Sequence, residues 1–374
     1  MKVVLTHPYC WPYVRRGTER CIDVLARYLN RVGHEVTLVS THPRESSIER
    51  NGGGTRILRR PLWNPVLGMA RLQPEHTFFF TAARAVRKLN ADVVHSCFYA
   101  DALGVQMVRR SRPFRTVLQL NGIAIPRVSC RRIPPEAWML RRAIDNVDSF
   151  IVCSDFIRRL ALEHFGRNPD VIVPPVEVTD WPVGRGPSDG RPTILGVGDF
   201  NVRRKGVRAL IRAFSILKRD LPDVRLRLTG RMAPELFQEI TSDLPAEIAS
   251  GIENLGLGQP GDLPKIYGEA SVMALPSMWE PSGTVVMEAL ASGTPVVIAR
   301  HGGLPEMITP HVGVDFDPAT DGEETHNAQG LADALRAGLV LAAKDGVRER
   351  CRSHAASFSV DALGPRYEEI YSRH

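Results

Sequence analysis

Val272-Met273-Ala274-Leu275-Pro276-Ser277-Met278-Trp279-Glu280-Pro281-Ser282-Gly283-Thr284-Val285-Val286-Met287-Glu288-Ala289-Leu290-Ala291-Ser292-Gly293-Thr294-Pro295-Val296-Val297 reads as a buried strand, a glycine-containing loop, a helix and a second buried strand. Short apolar runs on either side of a helical segment predict parallel strands joined by a crossover. The amides of Gly283, Thr284 and Val285 then point out of the helix N-terminus, an arrangement that binds a phosphate or a sugar oxygen. Glu280 lies in the loop, where a carboxylate accepts sugar hydroxyls. Glu288 lies two turns into the helix, where a carboxylate accepts the two hydroxyls of a ribose. A solvated helical Glu is the plain alternative, but Met287 and Ala289 flank Glu288 in a largely apolar helix.

Outward from this stretch the same alternation continues. The first half predicts strands over 2–6, 35–40, 55–59, 92–95, 116–120, 149–153 and 171–174, with helices over 19–32, 77–90 and 154–165 between them. The second half predicts strands over 193–197, 225–229, 272–276 and 295–299, with helices over 206–220, 284–292 and 328–344. Alternating strands and helices imply parallel sheets covered on both faces. Residues 180–192 are rich in Gly and Pro and lack hydrophobic periodicity, which predicts a linker. The expected domains are 1–180, a linker over 181–192, and 193–359, and ligands bind at the carboxyl ends of strands in such sheets.

Composition narrows the function. The 374 residues carry 43% hydrophobic and 24% charged side chains, ordinary for a soluble globular chain. No apolar run reaches the roughly 18 residues of a membrane span, and the N-terminus turns polar too soon for a signal peptide. A cytoplasmic protein is expected. Cys10, Cys21, Cys97, Cys130, Cys153 and Cys351 lack Cys-x-x-Cys spacing, which predicts buried free thiols rather than a zinc site or disulfides. The formal charge is +7, and only six of the 48 basic residues are lysine. Arginine pairs well with phosphate, although a genome rich in G and C gives the same bias. No zinc finger, aromatic RNA-binding motif or long basic block supports nucleic acid as a partner.

Glu-Pro-x-Gly-x-x-x-x-Glu-Ala-x-Ala-x-Gly-x-Pro-Val over 280–296 resembles the signature of glycosyltransferase family four, whose members are retaining enzymes of the GT-B fold. Further segments resemble the family in the same order: Gly17-Thr18-Glu19-Arg20, Gly33-His34-Glu35-Val36, Asp92-Val93-Val94-His95, Gly196-Val197-Gly198, Arg204-Lys205-Gly206, Asn254-Leu255-Gly256 and Gly302-Gly303-Leu304-Pro305-Glu306. The resemblance implies an α/β chain of GT-B architecture, two Rossmann-like parallel-sheet domains facing a central cleft, with the last helix, 360–374, packed back on the first domain. It implies that Gly17 lets a loop approach the donor phosphate and that Arg204 and Lys205 neutralise the diphosphate. It places Glu280 on the donor sugar and Glu288 on the ribose, with Gly198, Gly283, Thr284 and Val285 around the donor. Two positions depart from the family. Asp199 stands where Arg is common, and Arg203 is the candidate replacement for its charge. Asn121 stands where His is common, and Asn hydrogen-bonds a hydroxyl but takes no proton. His7 and His95 are acceptor-side candidates, a plain loop histidine being the alternative for His7.

The expected reaction is transfer of a hexosyl group from a nucleoside-diphosphate sugar, UDP before GDP, to an acceptor hydroxyl with the anomeric configuration kept. A GT-B sugar-nucleotide epimerase or hydrolase is the rival enzyme, and a basic nucleic-acid-binding protein the rival non-enzyme. Gly256-x-Gly258-x-x-Gly261 lacks the long helix of a dinucleotide site, and Pro260 interrupts its loop. Asp315-Phe316-Asp317 precedes Pro318 and reads as a turn rather than a metal site. Leu62, Trp63, Val66 and Leu67, near Phe78-Phe79-Phe80 and flanked by arginines, suit either an anionic membrane surface or an acceptor pocket over 61–76. Phe79, Ala83, Val86 and Leu89 share a helical face, which favours the pocket and a soluble acceptor. No metal or organic cofactor is expected, because cations and a helix N-terminus neutralise the leaving group. Turnover is therefore expected to persist in EDTA. Complete loss, restored by manganese or magnesium, would return Asp315 and Asp317 to the site.

Overall fold

The computed structural model describes residues 1–60, 74–109, 113–122, 134–319 and 326–373. The chain divides into two compact units, one of Met1–Pro175 with Val360–His374 and one of Val176–Ser359.

The first unit holds an eight-stranded sheet of order β3-β4-β2-β1-β5-β6-β7-β8. Its strands are β1 Lys2–Thr6, β2 Glu35–Thr41, β3 Ser47–Asn51, β4 Gly54–Arg59, β5 Val93–Ser96, β6 Arg115–Leu120, β7 Ser149–Val152 and β8 Asp170–Val171. All neighbours run parallel except β3 and β4, which form an antiparallel edge hairpin. The apolar-run reading finds the central strands because both their faces are covered, and such strands are near-continuously apolar. It passes over β3, Ser-Ile-Glu-Arg-Asn, because an edge strand exposed to water carries no such run. Helices Tyr99–Arg109 and Pro134–Asp145 are also additions to the sequence reading.

Helix Pro74–Val86 buries a different stripe from the one expected. Phe78, Ala82 and Val86 face the core, whereas Phe79 and Ala83 are only half-buried and Phe80 is exposed. The two stripes differ by one residue, about 100° of helical rotation, a difference that composition does not resolve among three consecutive phenylalanines. Of the expected acceptor or membrane segment over 61–76, residues 61–73, with Leu62, Trp63, Val66 and Leu67, lie outside the described residues, as does Cys130. The other five cysteines are free and buried.

The second unit holds a six-stranded parallel sheet of order β11-β10-β9-β12-β13-β14. Its strands are β9 Thr193–Asp199, β10 Arg225–Arg231, β11 Ile252–Gly256, β12 Val272–Leu275, β13 Val296–Ala299 and β14 Gly313–Phe316. Again the two edge strands, β11 and β14, are those the apolar-run reading leaves out. The Gly/Pro-rich stretch is tied into this unit. Trp181 is buried, the Gly184 amide donates to Ser292 O at 3.0 Å, and the Gly186 amide donates to Gly268 O at 3.0 Å. Backbone passes so closely there that a side chain on Gly184 would meet Gly268 Cα at 2.1 Å. The division between units therefore falls at Pro175/Val176, before the stretch read as a linker over 181–192.

Helix Val360–Ser372 belongs to the first unit, where Tyr367, Ile370 and Tyr371 are buried. Tyr28 lies across Gly364 and donates its hydroxyl to Glu368 Oε1 at 2.6 Å, one helical turn on. His34 Nε2 reaches Glu368 Oε2 at 3.1 Å. A Cβ on Gly364 would sit 2.2 Å from Tyr28 Cζ. Gly364→Ala is therefore expected to cost about 1–3 kcal/mol through overpacking, despite the better helix propensity of alanine. A thermal melt checks this, and an unchanged or raised Tm would contradict the packing described.

Candidate active site

The carboxyl edge of the second unit's sheet assembles the charged groups. After β9 the chain makes a short turn, Arg203–Lys205, closed by Gly206 in the left-handed region at φ 70°. A side chain there would meet Pro276 O at 2.5 Å, so glycine lets this turn lie against the end of β12. Backbone bonds fix the contact. The Met278 amide donates to Arg204 O at 2.8 Å, and Ser277 Oγ lies 3.3 Å from the same oxygen.

Glu280 is the hub of this edge. Its Oε1 accepts from Ser277 Oγ at 2.6 Å, from Arg204 Nη1 at 3.2 Å, and from the Lys205 ammonium. Among the described residues none donates to Oε2. The Glu280 carbonyl accepts the Gly303 amide at 2.9 Å, and a Cβ on Gly302 would come within 2.4 Å of that carbonyl. Burial pushes the carboxyl pKa up. The Lys205 and Arg204 charges and the hydrogen bonds from Lys205 and Ser277 outweigh it and hold Glu280 below the usual carboxylate range. Glu280 is thus an anion with one oxygen clamped and the other able to accept a ligand hydroxyl.

Helix Thr284–Ala291 begins beside it, with Gly283 as its N-cap. The Gly283 carbonyl accepts the amides of Val286 and Met287, while among the described residues nothing accepts from the amides of Gly283, Thr284 and Val285. Glu288 points inward and is buried, and Tyr267 donates its hydroxyl to Glu288 Oε2 at 2.9 Å. Tyr267 is itself fully buried, edge-on to Trp181 at 5.5 Å. Glu288 is therefore tied to the core, and its removal strands a buried hydroxyl. Gly198 lies at the end of β9, where its nearest neighbour is the Lys205 side chain, 3.7 Å from an added Cβ. Asp199 accepts from Asn201 Nδ2 at 3.1 Å, and Arg203 begins the turn that carries Arg204 and Lys205.

Of the remaining sequence-predicted residues, His7, Gly17 and Asn121 lie at the carboxyl edge of the first unit's sheet. Gly17 opens helix Gly17–Arg31, whose N-cap Arg16 provides no side-chain cap. Asn121 Oδ1 accepts from Gln119 Nε2 at 2.9 Å. His7 is buried, with Nδ1 2.9 Å from Tyr9 O, and burial lowers its pKa to about 4. His95 departs from its expected acceptor-side role. It is fully buried, with Nδ1 2.7 Å from the Tyr371 hydroxyl and its ring against Tyr367, and burial lowers its pKa to about 3. The helix that covers it comes from the far end of the sequence, which no local pattern reveals.

Sequence reasoning missed Ser277, Tyr267, Trp279 and His301. Ser277 stands three residues before Glu280 and was open to being read as its partner. The Tyr267–Glu288 pair carries no such signal, since β12 intervenes. Asp315 pairs with Arg300 at 2.8 Å, and Asp317 Oδ1 accepts the Ala319 amide at 3.2 Å, so Asp-x-Asp forms an ion pair and a turn. Among the described residues no group of His, Cys, Asp and Glu is placed to hold a metal ion. After Gly258 only a short 3-10 turn and the six-residue helix Leu263–Gly268 follow, unlike a dinucleotide site.

Two parallel-sheet α/β domains, the second with a clamped carboxylate beside an uncapped helix N-terminus, define a glycosyltransferase of the GT-B fold. The chain belongs to glycosyltransferase family 4: residues 15–179 match the model described as Glycosyltransferase Family 4, and residues 178–344 match Glycosyl transferases group 1. It is 28% identical over 399 residues to a D-inositol 3-phosphate glycosyltransferase of Corynebacterium aurimucosum, covering 93% of this chain and 88% of that protein. The alignment with the protein of the same name from Corynebacterium kroppenstedtii, also 28% identical, spans only 41% of this chain and 38% of that one. An Anabaena protein solved in complex with UDP has the same fold, with TM-score 0.74 and 18% identity over the whole of both chains.

The two buried histidines set an acid dependence. The unfolded chain takes up protons at these positions below about pH 6.5, whereas the folded chain resists until about 4 at His7 and about 3 at His95. The unfolded state then binds more protons, so stability is full above that pH and falls as pH drops from about 6.5 toward 4. Tm measured between pH 7.5 and 4.5 is expected to fall. In His95→Gln, less stable at neutral pH, the fall is expected to be shallower. An equal slope would remove His95 from the effect.

Proposed function

We propose that this glycosyltransferase transfers a hexosyl group from a nucleoside-diphosphate sugar to an acceptor hydroxyl with retention of configuration. The observation that carries the reading is Glu280, with Oε1 held by Ser277, Arg204 and Lys205 and Oε2 meeting no donor among the described residues. A carboxylate so held keeps its charge and accepts a sugar hydroxyl. The amides of Gly283, Thr284 and Val285 supply donors for the donor's phosphate or sugar oxygens. Arg204 and Lys205 lie beside them and offset the charge that develops as the nucleoside diphosphate leaves. Front-face attack, in which the leaving phosphate takes the acceptor's proton, needs no protein nucleophile. No metal is required for the neutralisation.

UDP is the first nucleotide to test and GDP the second, and the UDP-bound structural neighbour supports that order. The relative's name makes a phosphorylated polyol the first acceptor to try. On the first unit, Gly17 and Asn121 are assigned to donor contacts on the family resemblance, and His7, just past β1, to the acceptor on its position. Among the described residues no helix is long and apolar enough to cross a membrane.

A thermal-shift panel of nucleoside diphosphates and nucleotide sugars tests the reading, because a ligand of the native state raises Tm. No shift with any of them would sink it, and rapid release of UDP without acceptor would favour a hydrolase. Glu288→Gln keeps an acceptor for the Tyr267 hydroxyl while removing the charge. It is expected to weaken UDP binding by about tenfold, roughly one hydrogen bond to a charged group, with little change in Tm. Calorimetric titration checks this, and unchanged affinity for both UDP and GDP would take Glu288 out of the ribose site.

A further inference from the structure

Trp279, the residue before Glu280, has φ 55°, in the left-handed region that a bulky side chain rarely enters. Two strand-end loops hold it there. The preceding Met278 amide is bonded to Arg204 O at 2.8 Å, and the following Glu280 carbonyl accepts the Gly303 amide at 2.9 Å. Its own amide lies 3.3 Å from His301 Nδ1, and the indole meets the His301 ring edge-to-face at 4.6 Å. Burial lowers the His301 pKa, so this ring stays neutral at pH 7 and accepts the Trp279 amide.

Fold stability does not account for a tryptophan at this position. Glycine adopts φ 55° without steric cost, and 37% of Trp279 remains exposed, so its burial is incomplete. It is the one aromatic among the described large hydrophobic side chains exposed on the second unit. Strained backbone that the surroundings over-determine clusters at ligand sites. Here the neighbours are Glu280 and the carboxyl ends of β12 and β13, where ligands of parallel sheets bind. A hexopyranose presents hydroxyls at its rim and C–H groups on its faces. The carboxylate suits the rim, and an electron-rich indole face suits the C–H groups.

We propose that the exposed indole of Trp279 is a stacking platform for the hexosyl ring of the donor, with His301 as the positioning residue that sets the indole's tilt. The assignment rests on the donor-sugar reading of Glu280. It concerns the sugar and not the nucleotide, which gives it a separable signature. Calorimetry on the full chain compares UDP with UDP-glucose, and GDP with GDP-mannose, for wild type, Trp279→Gly, Trp279→Phe and His301→Ala. In Trp279→Gly the sugar nucleotide is expected to bind about tenfold more weakly while the free diphosphate binds as before. Tm is expected to hold or rise, since glycine relieves the backbone. Trp279→Phe is expected to keep most of the affinity, and His301→Ala to lose part of it for the sugar nucleotide alone. Equal weakening of diphosphate and sugar nucleotide, or no weakening of either, overturns the platform and leaves the donor reading standing. A wild-type protein that binds neither sugar nucleotide overturns both.

Discussion

The buried Glu280 carboxylate is the constraint on which the site depends. A carboxylate leaves water only when charge and hydrogen bonds replace its hydration. Three donors on Oε1 meet that need, and they come from two places: Ser277 from the loop after β12, Arg204 and Lys205 from the turn after β9. The anion therefore joins two strand ends. Gly206 permits the close approach on one side, and Gly302 permits it on the other, where the Gly303 amide bonds the Glu280 carbonyl. Two glycines and three donors thus hold one side chain, and Trp279 is bent into the left-handed region between them.

The same loops explain why the basic turn is not a mere solvated patch. Arg204 and Lys205 are engaged with an anion before any ligand arrives, so their side chains are already placed. Preorganised charges need little rearrangement when a leaving group develops negative charge. Glu288 shows the converse. It is anchored from beneath by Tyr267, so a residue read as a binding group also closes a hydrogen bond in the core.

In the first unit the final helix plays the comparable structural part. It returns from the end of the chain to cover His95 and to seat Tyr28 over Gly364. A histidine near the end of strand β5 in a family-like segment, and so looking like a site residue, becomes a buried neutral ring under two tyrosines. His7 and His95 are held uncharged by burial, and this links the packing of the sheet to acid sensitivity.

Local chemistry made much of this legible in the sequence alone. Continuous β-branched runs marked the central strands because parallel strands are apolar on both faces. Gly283 before an apolar helix marked the start of helix Thr284–Ala291, and the apolar neighbours of Glu288 marked its inward side. What the sequence did not reveal depends on partners distant along the chain. The edge strands β3, β11 and β14 carry too little buried surface to leave a pattern. The buried stripe of helix Pro74–Val86 was ambiguous among three phenylalanines. The pairing of Tyr267 with Glu288, the prop of His301 under Trp279 and the cover of the last helix over His95 arise only when separate strands end side by side. Periodicity encodes which face a residue takes within its own element; which groups meet at that face is decided by tertiary packing.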